Sequence, residues 1–462
     1  MLDEIGLKSQ TRCSKTYLLS KLHELNEFGF VDHMLLTTHP FQFVLGTLIF
    51  GATLAFIMIR PYRVPEAVSA LVGAMLMLLV GIVHPNEALR VLSRQWNVYG
   101  FFLGLMTLSA LADQAGIFEW VAYQAGKWGQ GSARRLYLVL FIAGAVLTVF
   151  LSNDGTALIL TPVVYALITR LRLRVLPFMF ACTFIADTAS FLLPVSNPIN
   201  ILVVDEFHID LCTFLHYLLL PSLLSIALNI GVFVWRYRYD LKISYDPHML
   251  APFEPPHRAY FDFTLGGLGL IALAYIVASA MRLPLSFVAL GGTGLLSAGA
   301  LYLHRLEWKK LRREISWSLF GFITGMFILV RGVEDLGLTA AFGNALLSLA
   351  GGNPLGAILL TAGGSALGAN LINNVPMTLV MISALRSVSG VALANPALAY
   401  AIILGADLGP NLTTVGSLAT MLWLLILRRK GLEVSTLEYF KLGLTVVPLL
   451  VLIGSVLIWL RW

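Results

Sequence analysis

Apolar runs of about 20 residues recur along almost the whole chain, each long enough as a helix to cross a hydrocarbon core of roughly 30 Å. Inside such a core every backbone amide needs a protein partner, so helices and closed barrels are the available solutions. The runs are continuously apolar rather than alternating, which argues against a lipid-facing barrel. Only 12% of the 462 residues are charged and 58% are hydrophobic, more apolar surface than one soluble core would bury. The sequence therefore predicts an all-α polytopic membrane protein, integral and multi-pass.

Two kinds of polar interruption break these runs. Leu136–Phe150 is an apolar arm of 15 residues, about 22 Å of helix. It meets Ser152-Asn153-Asp154-Gly155, and Thr156–Thr169 forms a second short arm. This reads as a re-entrant hairpin, the alternative being one long kinked helix or two short spans. Val175–Val204 is broken in its middle by Asp187-Thr188-Ala189-Ser190 and by Pro194-Val195-Ser196-Asn197-Pro198-Ile199-Asn200. Prolines so placed do not fit a regular helix, so this is expected to be a discontinuous one.

Both interruptions occur twice. Trp317, Gly321 and Gly325 follow Trp96, Gly100 and Gly104 by 221 residues. Asn373-Asn374 follows Asn153-Asp154 by 220, and Asp407 follows Asp187 by 220. Asn373-Asn374-Val375-Pro376 is then a second hairpin tip and Gly405–Gly416 a second broken helix. The division expected is an N-terminal tail over 1–39, a first transmembrane repeat over 40–235, a linker over 236–262 and a second repeat over 263–462. In the tail, Leu18, Leu19, Leu22, Leu25 and Phe28 share one helical face, an amphipathic pattern; no signal peptide is read there. Each repeat has five spans, a re-entrant hairpin and a broken helix, and five crossings are odd, so the two are inverted repeats. With both termini outside, the inner loops hold 21 Lys and Arg and the outer segments 10, as the positive-inside rule favours.

Two tips and two breaks related by a pseudo-twofold axis should meet near the midplane. There, half-helix ends offer free N–H and C=O groups to a small polar solute or an ion. The side chains placed at this meeting point are Asn153, Asp154, Asp187, Ser196, Asn197, Asn200, Asn373, Asn374, Asp407, Asn411, Thr413 and Thr414. The tip asparagines serve equally well as helix caps. Thr156, Thr161 and Thr378 are read as bonding to their own helices, and Gly155, Gly409 and Gly416 as giving the backbone room. Function is favoured for the three aspartates, because an unpaired intramembrane carboxylate has little structural use. Asp113 and Glu334, near span ends, are read as interfacial.

Several classes are excluded. Cys13, Cys182 and Cys212 form no CxxC pair, so neither a thiolate metal site nor a disulfide framework is expected. There is no GxxxxGK[ST] loop, and no cofactor is expected. The net charge of +6 reflects basic loops rather than nucleic-acid binding. His84, His208, His216, His248 and His304 are scattered without ligand spacing, which disfavours a membrane metalloenzyme.

Ser152-Asn153-Asp154-Gly155-Thr156-Ala157-Leu158-Ile159-Leu160-Thr161-Pro162 closely resembles the Asn-Asp-Gly-Ala-Ala-Leu-Ile-Leu-Thr-Pro signature of ArsB-type arsenite/antimonite efflux transporters. Ala186–Ser190 with Ser196-Asn197-x-x-Asn200, and Asp407–Asn411 with Gly416–Trp423, resemble two further blocks of that family, itself part of the ion transporter superfamily. The 39-residue extension, Pro198, and Asn411 with Thr414 where Lys and Pro are expected depart from the pattern and bear on substrate detail. The resemblance implies a secondary transporter, not an enzyme. It would export arsenite and antimonite by alternating access, driven by inward proton movement, in some members with a cytoplasmic arsenite-stimulated ATPase as partner. Arsenite is a neutral trihydroxide at neutral pH, suited to amide, hydroxyl and carboxylate contacts. A sodium/proton antiporter would use the same carboxylates. A dicarboxylate carrier of the superfamily is disfavoured by repulsion from Asp154.

Overall fold

The computed structural model describes residues 40–59, 64–250, 252–281, 283–388 and 396–462. The amphipathic face expected at Leu18 to Phe28 and the loop 60–63 lie outside the described residues. Among the described residues the regular elements are helices, with one isolated antiparallel bridge between Ser132 and Ser244.

The first half opens with α1 (Pro40–Ile59), α2 (Glu66–Leu79) and a short amphipathic α3 (Pro85–Arg94), whose N-terminus is capped through His84 and Glu87. Next come α4 (Trp96–Gln114), α5 (Ile117–Trp128) and α6 (Ala133–Leu151). Past a break at Ser152 the chain is helical again over Asn153–Gly155, passes through a π-helical Thr156–Leu160, and continues as α7 (Thr161–Arg170). Then α8 (Val175–Thr188) and α9 (Pro198–Glu206) flank the second break, and α10 (Leu211–Arg236) closes the half. The second half runs α11 (Arg258–Ala280), α12 (Leu285–Tyr302), α13 (Trp308–Glu314), α14 (Trp317–Asp335) and α15 (Leu338–Leu349). It ends with α16 (Pro354–Ile372), α17 (Asn374–Ser387), α18 (Ala397–Leu408), α19 (Leu418–Arg429) and α20 (Thr436–Leu460).

Among the described residues eight helices are long and apolar enough to cross a membrane, or nine if the bent pair α4–α5 is one span. Large apolar side chains such as Phe41, Leu48, Leu79, Leu270 and Leu273 are exposed on the outside, where lipid would cover them.

Matching elements recur 221 residues apart: α6 ends at Leu151 and α16 at Ile372, each followed by a residue with φ near +73° and ψ near 155–160° (Ser152 and Asn373). That region is almost reserved for glycine, and holding another residue there costs about 1–3 kcal/mol. The packing is reciprocal as well. α2 packs most extensively on α14, and α12 on α4. A Cβ on Gly104 would stand 2.5 Å from the Ala289 Cβ, and one on Gly325 would stand 2.5 Å from the Ala70 carbonyl carbon. The two Trp-x3-Gly-x3-Gly stretches are therefore close-approach faces, each seated on a small residue of the other half.

Two local differences from the sequence reading have physical causes. The third span, expected to run from Trp96 to Trp120, bends by 61° between α4 and α5. Gly116, at φ +85°, makes that turn, and Gly337 at φ +75° separates α14 from α15. The helix expected as a 15-residue arm of a re-entrant hairpin, α6, has 19 residues, roughly 28 Å, and is among those long enough to cross a membrane. Ser132 caps it by accepting from the Arg135 N–H, and Arg134 and Arg135 reach outward from its first turn. The linker lies against α5: the Tyr245 hydroxyl donates to the Gly126 carbonyl at 2.7 Å, and the Tyr245 N–H to the Gly131 carbonyl at 2.8 Å.

Candidate transport site

The breaks exist because the backbone cannot continue through them. In the first, Pro194–Ser196 forms a 3₁₀ turn and Asn197 caps α9, its Oδ1 accepting from the Ile199 N–H with Pro198 at the first helical position. In the second, Gly409–Leu412 is a 3₁₀ turn and Ser417 caps α19 by accepting from the Thr420 N–H at 3.1 Å. Each break leaves a carboxylate in the last turn of the helix before it: Asp187 on α8 and Asp407 on α18, both 1% exposed.

These carboxylates are held across the halves. Asp407 Oδ1 accepts from Asn197 Nδ2 and lies 2.5 Å from Ser190 Oγ, both in the first break. Asp187 accepts from Ser417 Oγ at 3.5 Å and from Thr420 Oγ1 at 3.2 Å, both at the start of α19. The residue that caps the second half-helix of one break thus bonds the aspartate of the other half, and the relation holds in both directions. Ser190 Oγ is also 2.8 Å from the Asp187 carbonyl, so its single proton is shared between the two halves. Hydrogen bonds to an ionised group contribute about 1.5–3 kcal/mol each.

The residues after the break at Ser152 join this cluster. Asn153 Nδ2 donates to Asp187 Oδ1 at 3.3 Å, and its Oδ1 accepts from the Asp154 N–H at 2.9 Å. Asp154, half-buried, lines a cavity of about 40 Å³ with Ser109 and Leu158. Among the described residues no ion pair joins a Lys or Arg to Asp154, Asp187 or Asp407. Asp407 Oδ2 is buried with no hydrogen-bond partner.

The other expected residues divide. Asn411 Nδ2 donates to the Phe184 carbonyl and to Thr188 Oγ1, each at 3.3 Å, beside the cluster. Ser196 Oγ donates to the Val149 carbonyl at 3.1 Å and Asn200 Nδ2 to the Ser190 carbonyl at 2.7 Å, so both brace the first break. The Asn374 N–H donates to the Gly416 carbonyl at 3.1 Å, tying the second tip to the second break. Asn373 caps α17 through the Val375 N–H, and Thr413 Oγ1 donates to Asn370 Oδ1 at 2.7 Å. Asn373 and Asn370 border a separate cavity of about 20 Å³, and Thr414 is buried at the break.

Sequence reasoning missed Ser190, Thr188, Asn229, Asn370, Ser417 and Thr420. Ser417 was findable, since it follows Asn197 by 220 residues, the same offset as the aspartates. Asn229 carries no such signal; α10 brings its Nδ2 within 2.6 Å of Thr188 Oγ1, the hydroxyl to which Asn411 also donates. Among the described residues no group of three His, Cys, Asp or Glu could hold a metal ion.

A helical bundle faced with lipid-facing apolar side chains, with buried carboxylates meeting at paired helix breaks, defines a multi-pass integral membrane transporter. The chain belongs to the ArsB family: the model of that family, described as arsenical pump membrane protein, matches residues 45–460. The arsenical pump membrane protein of Yersinia enterocolitica is 33% identical over 404 residues, covering 86% of this chain and 94% of that protein. The protein of the same description from Escherichia coli (strain K12) is 32% identical over 409 residues, covering 87% and 95%. In fold, the chain is similar to the Alcanivorax borkumensis YdaH transporter, with a TM-score of 0.56 at 15% identity over 82% of this chain and 89% of that one.

Proposed function

We propose that this protein exports trivalent arsenic and antimony hydroxides by alternating access, coupled to inward proton movement. The observation that carries the reading is the cross-half pairing of Asp187 with Ser417 and Thr420, and of Asp407 with Asn197 and Ser190. Sequence similarity to arsenical pump membrane proteins over most of the chain supports the substrate class. Arsenite, As(OH)3, offers three hydroxyls and no charge. The buried Asp407 Oδ2, with no partner of its own, is an acceptor for one of them, and the amides of Asn153 and Asn197 are within the same network. Exchangeable hydrogen bonds also permit release, which thiolate ligation would slow.

In this reading the two halves insert with opposite orientation, and the face bearing the linker is cytoplasmic. The cavity of about 1030 Å³ on that face is then the cytoplasmic approach toward the site. Proton binding at the aspartate cluster and solute binding compete: an ionised carboxylate is the stronger acceptor for a solute hydroxyl, and protonation weakens that acceptor and turns one oxygen into a donor. Entry of a proton from outside thereby resets the site.

Arsenite uptake into everted vesicles, under an imposed proton gradient and separately under a sodium gradient, tests the proposal. Accumulation that requires the proton gradient and collapses with an uncoupler is expected. Proton release on adding sodium, without arsenite movement, would overturn it.

A further inference from the structure

We infer that Glu314, at the end of α13, is the proton relay between the aspartate cluster and the cytoplasmic face; this rests on the proton-coupled reading above. Two cavities meet at this residue. The large one, about 1030 Å³, opens on the linker face and is bordered by Glu119, Leu158, Arg170, Phe253 and Glu314. The small one, about 40 Å³, is bordered by Ser109, Asp154, Leu158, Ile159 and Glu314. They share Leu158, Ile159 and Glu314, so the only ionisable side chain on both walls, among the described residues, is that of Glu314. The small cavity has room for one or a few water molecules, each needing about 10–15 Å³.

The carboxyl group of Glu314 is not fixed by a close partner. Its Oε2 is buried without a hydrogen bond, and its Oε1 is 3.8 Å from Lys310 Nζ. That ammonium is committed elsewhere, 2.6 Å from Asp113 Oδ2. The charged groups around the large cavity come from every side: Lys310 and Arg313 on α13 itself, Asp113 on α4, Glu119 on α5, Arg170 on α7, Glu254 on the linker and Arg429 on α19. Asp154 faces the small one. Positive and negative groups are mixed there, so the neck between the cavities is not dominated by either sign.

The step is a proton transfer. The Asp154 carboxyl gives its proton, through water in the small cavity, to the Glu314 carboxylate. The Glu314 carboxyl then releases it to water in the large cavity. Asp154 and Glu314 both end as carboxylates, and one proton has reached the cytoplasmic side. Leu158 and Ile159, the other residues on both walls, are apolar, which leaves the Glu314 carboxyl as the conducting group.

The test compares wild type, Glu314→Gln and Glu314→Ala in everted vesicles. Two rates are read: proton movement elicited by arsenite, and exchange of labelled for unlabelled arsenite at equal pH, which needs no proton step. Proton movement is expected to fall about tenfold or more in both variants, with exchange within about twofold of wild type. Formate, a diffusible carboxylate, is expected to restore the Ala variant, which leaves space for it, and not the Gln variant. Wild-type proton movement in either variant, exchange that falls in parallel, or an Ala variant that formate leaves unrestored would each overturn the relay. Wild-type vesicles with no proton-driven arsenite flux would instead overturn the coupling itself, and the relay with it.

Discussion

Gly405 and Gly409 bracket Asp407 on α18, and replacing Gly405 with alanine tests whether the position of that carboxylate depends on close helix contact. A Cβ at 405 would lie 2.1 Å from the Ala362 carbonyl oxygen and 2.9 Å from its carbon. Both are backbone atoms of α16, so no side chain can rotate out of the way. Real Cβ contacts stay beyond 3.0 Å, and α18 must withdraw by about 0.9 Å to reach that separation. Such overpacking costs about 1–3 kcal/mol. The better helix propensity of alanine returns up to about 1 kcal/mol. With that return in full, a net loss of about 0–2 kcal/mol follows, with a larger effect on function, because a shift near 1 Å at a reacting group can lower rates about 100-fold. Thermal unfolding of the purified protein in detergent and proton-driven arsenite flux in vesicles would be measured together. Gly363→Ala is the control: it is on α16, next to Ala362, and a Cβ there has no atom within 4 Å. A Gly405→Ala protein with wild-type melting temperature and flux would refute the reasoning, as would a Gly363→Ala protein equally damaged.

Asp407→Asn is expected to reduce proton-driven arsenite flux to background while the protein still reaches the membrane, read by vesicle flux and immunoblot. Thr420→Val removes the hydroxyl 3.2 Å from Asp187 Oδ2 and should destabilise by about 1.5–3 kcal/mol in a melting assay. Ser417→Ala loses a longer contact of 3.5 Å together with the α19 cap, worth about 1 kcal/mol. Arg386→Ala breaks a 3.0 Å ion pair with Glu206 whose side chains are 50% and 27% exposed, so its loss should be under about 1 kcal/mol and should shrink further in high salt.

Much of this architecture was legible because the membrane restricts what a polar residue in an apolar run can mean. Polar residues inside apolar runs mark the first tip and the first break, and the 220–221-residue offsets mark their second copies. What hydropathy could not register was backbone conformation. Gly116 at φ +85° looks like any glycine in a span, so a span read from Trp96 to Trp120 runs straight through the turn into the start of α5. The 15-residue arm was too short because Arg134 and Arg135 ended the apolar count, although their long stems let α6 begin at Ala133. At the site, the aspartates were visible as costly residues, but their partners were hydroxyls. Ser190 and Thr420 are indistinguishable in sequence from residues bonding to their own helix. Glu314 was hidden by Lys309, Lys310, Arg312 and Arg313, which made its surroundings read as an ordinary basic loop.

The cross-half pairing has a consequence for how the protein is made. Asp187 and Thr420 are separated by 233 residues, and Asn197 and Asp407 by 210. At about 5–20 residues per second, a ribosome reaches Thr420 roughly 10–50 s after it has placed Asp187 in the growing chain. During that interval the Asp187 carboxylate has Asn153 of its own half as a donor but lacks the Ser417 and Thr420 hydroxyls that later hold it. Completion of the site is therefore a late event of synthesis. Two half-length chains made from separate messages are expected to mature only when they are produced together.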